Sequence, residues 1–520
     1  MRRGGIIVFF LVLCLVGCKE RKEFFPYKDL SYSYYDTLRN SQYLINSRVV
    51  HWYIDSLRLA ERDTSFVDLF VDKYYYRSKP YLWVDMSGAD ERTDSLLHYF
   101  SGAKEEGISP NAFYCEKLSH ALARLKGLSF TRLENINLTL ATIEYYSTKG
   151  YARYVTGMRF GFVNPGKLFN HLDPIAPLDS NQEVRYRVLY ATKTETPGRA
   201  FMDTLFAAAS DSRQLGRMFA SSYPKSNNYR LLKRNLNMTQ DAFRRRTIAV
   251  NMERYRWRTP RNGRKYVWIN LPEFMLRAYD DDAGDMIEMR VCEGSFEHKT
   301  PLLSSDISRL ELNPVWVVPQ SIISKEIAPH HAGDAEWFEH KRMIIVDKKS
   351  GEEVPPVEVS SESLKTGNYN VIQGKGEGNA LGRMIFRFPN DFSIYLHDTP
   401  NHEVFTLPYR ALSHGCIRLE RPLDLAVFLM EEKDPLEIDK MRIAVDLPPE
   451  SEEGRKFLSN KNHRHMESIK YKPSIPLYIT YYTAYPDING NVVFTSDPYD
   501  YDQLIYSRIT GMSQPLRRAE

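Results

Sequence analysis

Two short passages hold the side chains able to do covalent chemistry: Ile394-Tyr395-Leu396-His397-Asp398-Thr399-Pro400 and Ser413-His414-Gly415-Cys416-Ile417-Arg418-Leu419. Side chains alternate between the faces of a strand, so Phe392, Ile394 and Leu396 share one face and Tyr395 and His397 the other. Asp398-Thr399-Pro400-Asn401 breaks that strand and leaves His397 near an open rim. In the second passage Ile417 and Leu419 face the core, which turns Cys416 and Arg418 together to the opposite side. The separation 416 − 397 = 19 leaves room for a loop that lays the two strands side by side. A thiol, an imidazole and a guanidinium are therefore expected on one surface.

The residue types suit nucleophilic catalysis. A thiol with a pKa of about 8.5 is barely ionised at neutral pH, and pairing with His397 predicts a lowered value at Cys416. Gly415 lets backbone approach a substrate closely, and the amides of Gly415 and Cys416 could donate to a tetrahedral oxyanion, each donor supplying roughly 3 kcal/mol. Arg418 could grip a substrate carboxylate in bidentate fashion or brace its strand. Cys115 and Cys292 read as inert buried thiols. Zinc on His402, His414 and Cys416 lacks regular ligand spacing, so no metal and no cofactor are expected. His414 points the other way from the nucleophile and takes a structural role, while His330, His331, His463 and His465 read as solvated loop residues.

Positioning these groups takes an α+β, multidomain chain. Residues 18–240 read as a mainly helical scaffold. Leu118, Ala121, Leu122 and Leu125 recur at helical spacing with Gly127 as a stop, and Ser65–Tyr76 is a second helix. Thr131-x-x-Glu134 resembles a capping box that opens a third, with Leu133, Ile136, Leu140 and Ile143 as its apolar stripe. Residues 245–445 read as a β-rich catalytic domain. Its expected strands are Thr247–Val250, Tyr266–Asn270, Phe274–Tyr279 and Met286–Val291, with a turn at Asp281–Asp285. Residues 333–379 are charged and irregular, an insertion of the kind that caps a substrate or simply runs over the surface. Pro422 opens a helix with Leu423, Ala426, Val427 and Met430 on one face. The extension 446–520 closes with a hairpin of Pro476–Thr483 and Val492–Thr495.

Among 520 residues, 70 Lys and Arg against 66 Asp and Glu give a net charge of +4, too small for a nucleic-acid partner. None of the five cysteines forms a C-x-x-C pair. Arg2 and Arg3 precede the apolar run Ile6–Val16, too short to span a bilayer, so residues 1–17 read as a secretory signal. Leu15-Val16-Gly17-Cys18 resembles a bacterial lipobox, which implies lipidation of Cys18 and work outside the cytoplasm, on the periplasmic side of the envelope. Lys19, rather than Asp, follows the anchor and points to the outer membrane.

His397 with Ser413-His414-Gly415-Cys416-x-Arg418 resembles the signature of the YkuD-type L,D-transpeptidases. Longer strings are similar to the large YcbB-like branch: Asn313-Pro314-Val315-Trp316-Val317-Val318-Pro319, Asn379-Ala380-Leu381-Gly382, Phe388-Pro389-Asn390 and Arg421-Pro422-Leu423-Asp424-Leu425-Ala426. The resemblance implies a YkuD-type catalytic domain behind a scaffold domain. It implies peptidoglycan stem peptides as substrates, Cys416 as nucleophile, His397 as acid and base, and 3→3 cross-links as product. It also implies backbone carbonyls around Ser413–Gly415 that orient the second nitrogen of His397, substrate contacts from Tyr395 and Arg418, and inhibition by carbapenems. A wall-binding lipoprotein without catalysis, or a transpeptidase that attaches a lipoprotein to the wall, are the alternatives.

Overall fold

The computed structural model describes residues 44–511, apart from 62–64, 78, 86, 176–183, 261 and 461. The leader and Cys18 lie outside the described residues. No helix among those described is long and apolar enough to cross a membrane.

The helical half is built around one helix, Ile136–Phe160, most of whose residues are buried. Asn135 caps it by accepting the Leu138 amide at 3.0 Å. The expected start at Thr131 is therefore too early. Thr131 Oγ1 does accept the Glu134 amide, at 2.9 Å, but the turn is not helical and Leu133 is 83% exposed. Mid-helix, buried Glu144 accepts the amides of Leu82, Trp83 and Val84 at 2.7, 2.8 and 3.2 Å and the Tyr75 hydroxyl at 2.7 Å. One carboxylate thus pins the segment Leu82-Trp83-Val84 to the central helix, and burial raises its pKa to about 7 against those donors. The helices Phe66–Tyr76 and Cys115–Lys126 pack on the same core, Ser65 capping the former.

Thr247–Val250 is helix, not strand. It lies within Ala242–Arg256, where Asp241 caps the first turn and tertiary burial overrides the β preference of Thr, Ile and Val. This helix joins the two halves: Asn251 Nδ2 donates to Thr483 Oγ1 at 2.7 Å, and Arg254 pairs with Asp502 at 2.6 Å.

The catalytic half is a closed sheet. We number its strands β1 (Lys265–Asn270), β2 (Met275–Asp280), β3 (Asp285–Gly294), β4 (Leu302–Leu312), β5 (Met384–Arg387), β6 (Leu396–His397), β7 (Ile417–Leu419) and β8 (Ser468–Thr480). The order β5-β6-β7-β3-β2-β1-β8-β4 closes because β4 also pairs with β5. β6 and β7 run parallel, with Leu396 opposite Ile417 and His397 opposite Arg418. Leu396, Ile417 and Leu419 are buried in the core, so Tyr395 and His397 on one strand share the opposite face with Cys416 and Arg418 on the other. Two details of the expected closing elements change. Residues to Thr480 belong to β8 in the main sheet, and the hairpin is Ala484–Pro486 with Val492–Phe494. The helix Pro422–Leu429 buries Ala426 of the expected face fully and packs Leu423 and Val427 of it half-buried against the core, with Leu425, Phe428 and Leu429 buried as well.

Between β4 and β5 the insertion is a folded unit, larger and more regular than its sequence suggests. Four short strands run in the order Trp316–Val317, Tyr369–Gln373, Met343–Asp347, Glu353–Val354. Helical turns cover them, and Ile323, Ile327, Phe338, Ile345, Leu364 and Val371 form a separate core. Strands of two to five residues expose half their side chains, so charge masks the pattern.

Candidate active site

The register of β6 on β7 places Tyr395 and His397 beside Cys416 and Arg418 on the side turned from the core. The Ile417 amide donates to Tyr395 O at 3.1 Å, so the pairing continues past the strand end. The rings of Tyr395 and His397 meet edge to face at 5.8 Å, and Arg387 lies 4.8 Å over the Tyr395 ring. The half-buried thiol has two close neighbours. Tyr395 faces Sγ with its hydroxyl and its amide, and Ser393 O lies 4.0 Å away. Ser393 holds a left-handed φ of 54°, a shape imposed by Asn390, whose Oδ1 accepts the amides of Phe392 and Ile394 at 3.0 and 3.2 Å. No hydrogen bond joins Sγ to the His397 ring, and the residue opposite His397 is Arg418.

The electrostatics correct the expectation of a resting thiolate. Burial drives His397 down to about 4, the Arg418 charge adding to it, while the carbonyls of Asp398 and Leu381 oppose. Burial likewise raises Cys416, although the Tyr395 donors and the charges of Arg418 and Arg387 favour the thiolate. Both groups therefore rest neutral at pH 7.

The orienting carbonyl is also not where it was expected. His397 Nδ1 meets Asp398 O at 2.5 Å rather than any carbonyl of Ser413–Gly415. A carbonyl only accepts, so Nδ1 carries the proton and Nε2 keeps its lone pair. Asp398 is in turn fixed by the Arg383 amide on Oδ2 at 2.8 Å and by Gly382, where a Cβ would stand 2.4 Å from the Asp398 carboxyl group.

Ser413–Gly415 instead builds the turn that leads into Cys416. Ser413 Oγ donates to Cys416 O at 2.5 Å and accepts the Gly415 amide at 3.1 Å. That amide is thus spent, whereas the Cys416 amide has no hydrogen-bond partner among the described residues. Gly415 takes φ +114°, which L side chains rarely adopt. His414 turns away, to a hydrogen bond with Glu326 of the insertion and a ring contact of 4.6 Å with His298. Arg418 Nε is buried with no hydrogen-bond partner among the described residues, while its charge reaches buried Cys292, the residue opposite it on β3. His402 stands 3.7 Å from Asp398. Sequence reasoning missed Asp398, Ser393, Asn390 and Glu326; only Phe388-Pro389-Asn390 carried a signal.

The architecture is a barrel that carries a cysteine and a histidine on adjacent parallel strands, behind a helical scaffold. Residues 264–438 match the family model of the L,D-transpeptidase catalytic domain, YkuD, and residues 69–236 that of the scaffold domain. The chain carries a YkuD L,D-transpeptidase catalytic domain behind a scaffold domain, the YcbB-like pairing. A Haemophilus influenzae protein with the provisional name L,D-transpeptidase is 32% identical over 261 residues, 50% of this chain and 48% of that protein. The chain thus spans about half the length of this curated relative. An L,D-transpeptidase from Mycobacterium smegmatis is 14% identical with a TM-score of 0.19, over 32% of this chain and 54% of that one, too slight a likeness to carry argument.

Proposed function

We propose that this chain is a peptidoglycan L,D-transpeptidase acting through Cys416. The observation that carries the reading is the placement of Cys416 and His397 on one outward face of two paired strands, with His397 Nδ1 held by Asp398 O. Because both groups rest neutral, the proton leaves the thiol as the bond forms rather than before. Sγ attacks the carbonyl of the third stem residue while Nε2 of His397 takes the thiol proton. The oxyanion meets the Cys416 amide, and the Arg418 charge beside Cys416 favours the anionic sulfur. As the intermediate collapses, the bond to the fourth residue breaks and D-Ala leaves with the proton from His397. An imidazolium with a pKa near 4 surrenders that proton readily. The amine of a second stem then attacks the thioester, His397 takes its proton, and the thiol is restored as a 3→3 cross-link forms.

Cys416→Ala should fold normally, form no acyl-enzyme with a tetrapeptide stem and show no mass shift with a carbapenem. Mass spectrometry of muropeptides from treated walls should show 3→3 dimers with the parent chain alone. Full cross-linking by the variant would refute the nucleophile. Lipidation at Cys18, with an outer-membrane site facing the periplasm, is part of the same proposal and predicts palmitate labelling that Cys18→Ser abolishes.

A further inference from the structure

The peptide unit joining Gly415 to Cys416 is planar and trans, so its carbonyl and its N–H point in opposite directions. Whatever holds the one aims the other. The carbonyl is held from within the fold: Thr300 Oγ1 donates to Gly415 O at 2.9 Å. The same oxygen accepts the Gly294 amide at 2.9 Å, and a hydroxyl has one proton to give, so its direction is set. Thr300 is fully buried, and the Cys416 amide is consequently turned away from it. The close approach depends on Gly294, where a Cβ would lie 2.0 Å from His298 O and 3.0 Å from Gly415 Cα.

Thr300 is itself clamped from the C-terminal extension. Its amide donates to Tyr499 Oη at 3.1 Å, and Tyr499 Oη donates to Gly294 O at 2.7 Å. Tyr499 is buried between Tyr481 and Tyr501, with ring centroids at 5.7 and 5.6 Å. A glycine at 415 leaves the following peptide free to swing, since no Cβ restricts it. The clamp removes that freedom.

We propose that Thr300, locked by Tyr499, is a positioning residue: its hydroxyl fixes the Gly415–Cys416 peptide so that the Cys416 amide meets the oxyanion. This rests on the transpeptidase reading. It adds a residue far from either motif and gives the C-terminal extension a part in the reaction.

The test compares two reactions of Cys416 in the full chain. A carbapenem acylates it: the Sγ–C bond forms, the lactam C–N bond breaks, the ring nitrogen takes the proton, and the intermediate bears an oxyanion. Iodoacetamide alkylates it by displacing iodide from a saturated carbon, with no oxyanion. Thr300→Val should lower the acylation rate by about 10- to 100-fold while alkylation stays within about twofold. Thr300→Ser keeps the hydroxyl and should restore acylation. Tyr499→Phe should show the same split more weakly, and it carries the test if Thr300→Val does not fold. Acylation equal to the parent's in folded Thr300→Val, or both rates falling in parallel, overturns the proposal. A parent chain that iodoacetamide labels at Cys416 and the carbapenem does not would remove the transpeptidase reading, and this proposal with it.

Discussion

The neutral resting state of the site has a kinetic signature. The perturbation is pH, read through alkylation of Cys416 by iodoacetamide with peptide mapping, since Cys115 is also partly exposed. Burial holds the Cys416 thiol above its ordinary range, so at pH 7 at most about 3% is thiolate. His397, near 4, is almost wholly neutral between pH 5 and 8 and offers the anion no charge to pair with there. The alkylation rate should therefore climb about tenfold per pH unit from 5 to 8, and its alkaline limit should exceed the rate at pH 7 by at least about 30-fold. An imidazolium–thiolate pair would instead give a flat rate over the same range. A plateau between pH 5 and 8 would sink the reasoning, because it requires a charged His397 at pH values where burial and Arg418 oppose one.

Three further perturbations test the surroundings of the site. His397 is depressed in the folded state, so its contribution to stability is present above pH 6.5 and lost as the pH falls toward 4. The full span is about 3 kcal/mol, and the unfolding free energy of the parent from urea titration should fall by that much more than that of His397→Asn. Glu293 is the opposite case: fully buried, with both oxygens lacking hydrogen-bond partners among the described residues and its pKa pushed up by burial. Its contribution is present below the ordinary carboxyl range and lost as pH rises, so the melting-temperature gain of Glu293→Gln over the parent should grow from pH 5 to 9. Gly382→Ala puts a methyl 2.4 Å from the Asp398 carboxyl group. It should displace the carbonyl that orients His397 and cut carbapenem acylation by about tenfold or more; unchanged acylation would deny Asp398 its role.

Alternation alone placed Tyr395 with His397 and Cys416 with Arg418, because a strand's period is two and apolar partners mark the inner face. The scaffold helices were legible for a similar reason, their stripes recurring over many turns. Thr247–Val250 misled because four residues of strand preference weigh less than a capped helix of 15 residues with a buried face. The insertion misled because its strands are too short to show a period.

The sequence by itself determined the chemistry available: one outward thiol, one imidazole, one guanidinium, and a glycine where the nucleophile's turn needs it. Only the tertiary structure decided their protonation and their partners. A pKa depends on solvent lost and charges brought near, and the groups that act on Cys416 and His397 are Tyr395, Arg418 of β7, Arg387 of β5 and the carbonyls of Leu381 and Asp398. Chain neighbours set which way a side chain points. Its charge is set by what the rest of the fold packs around it.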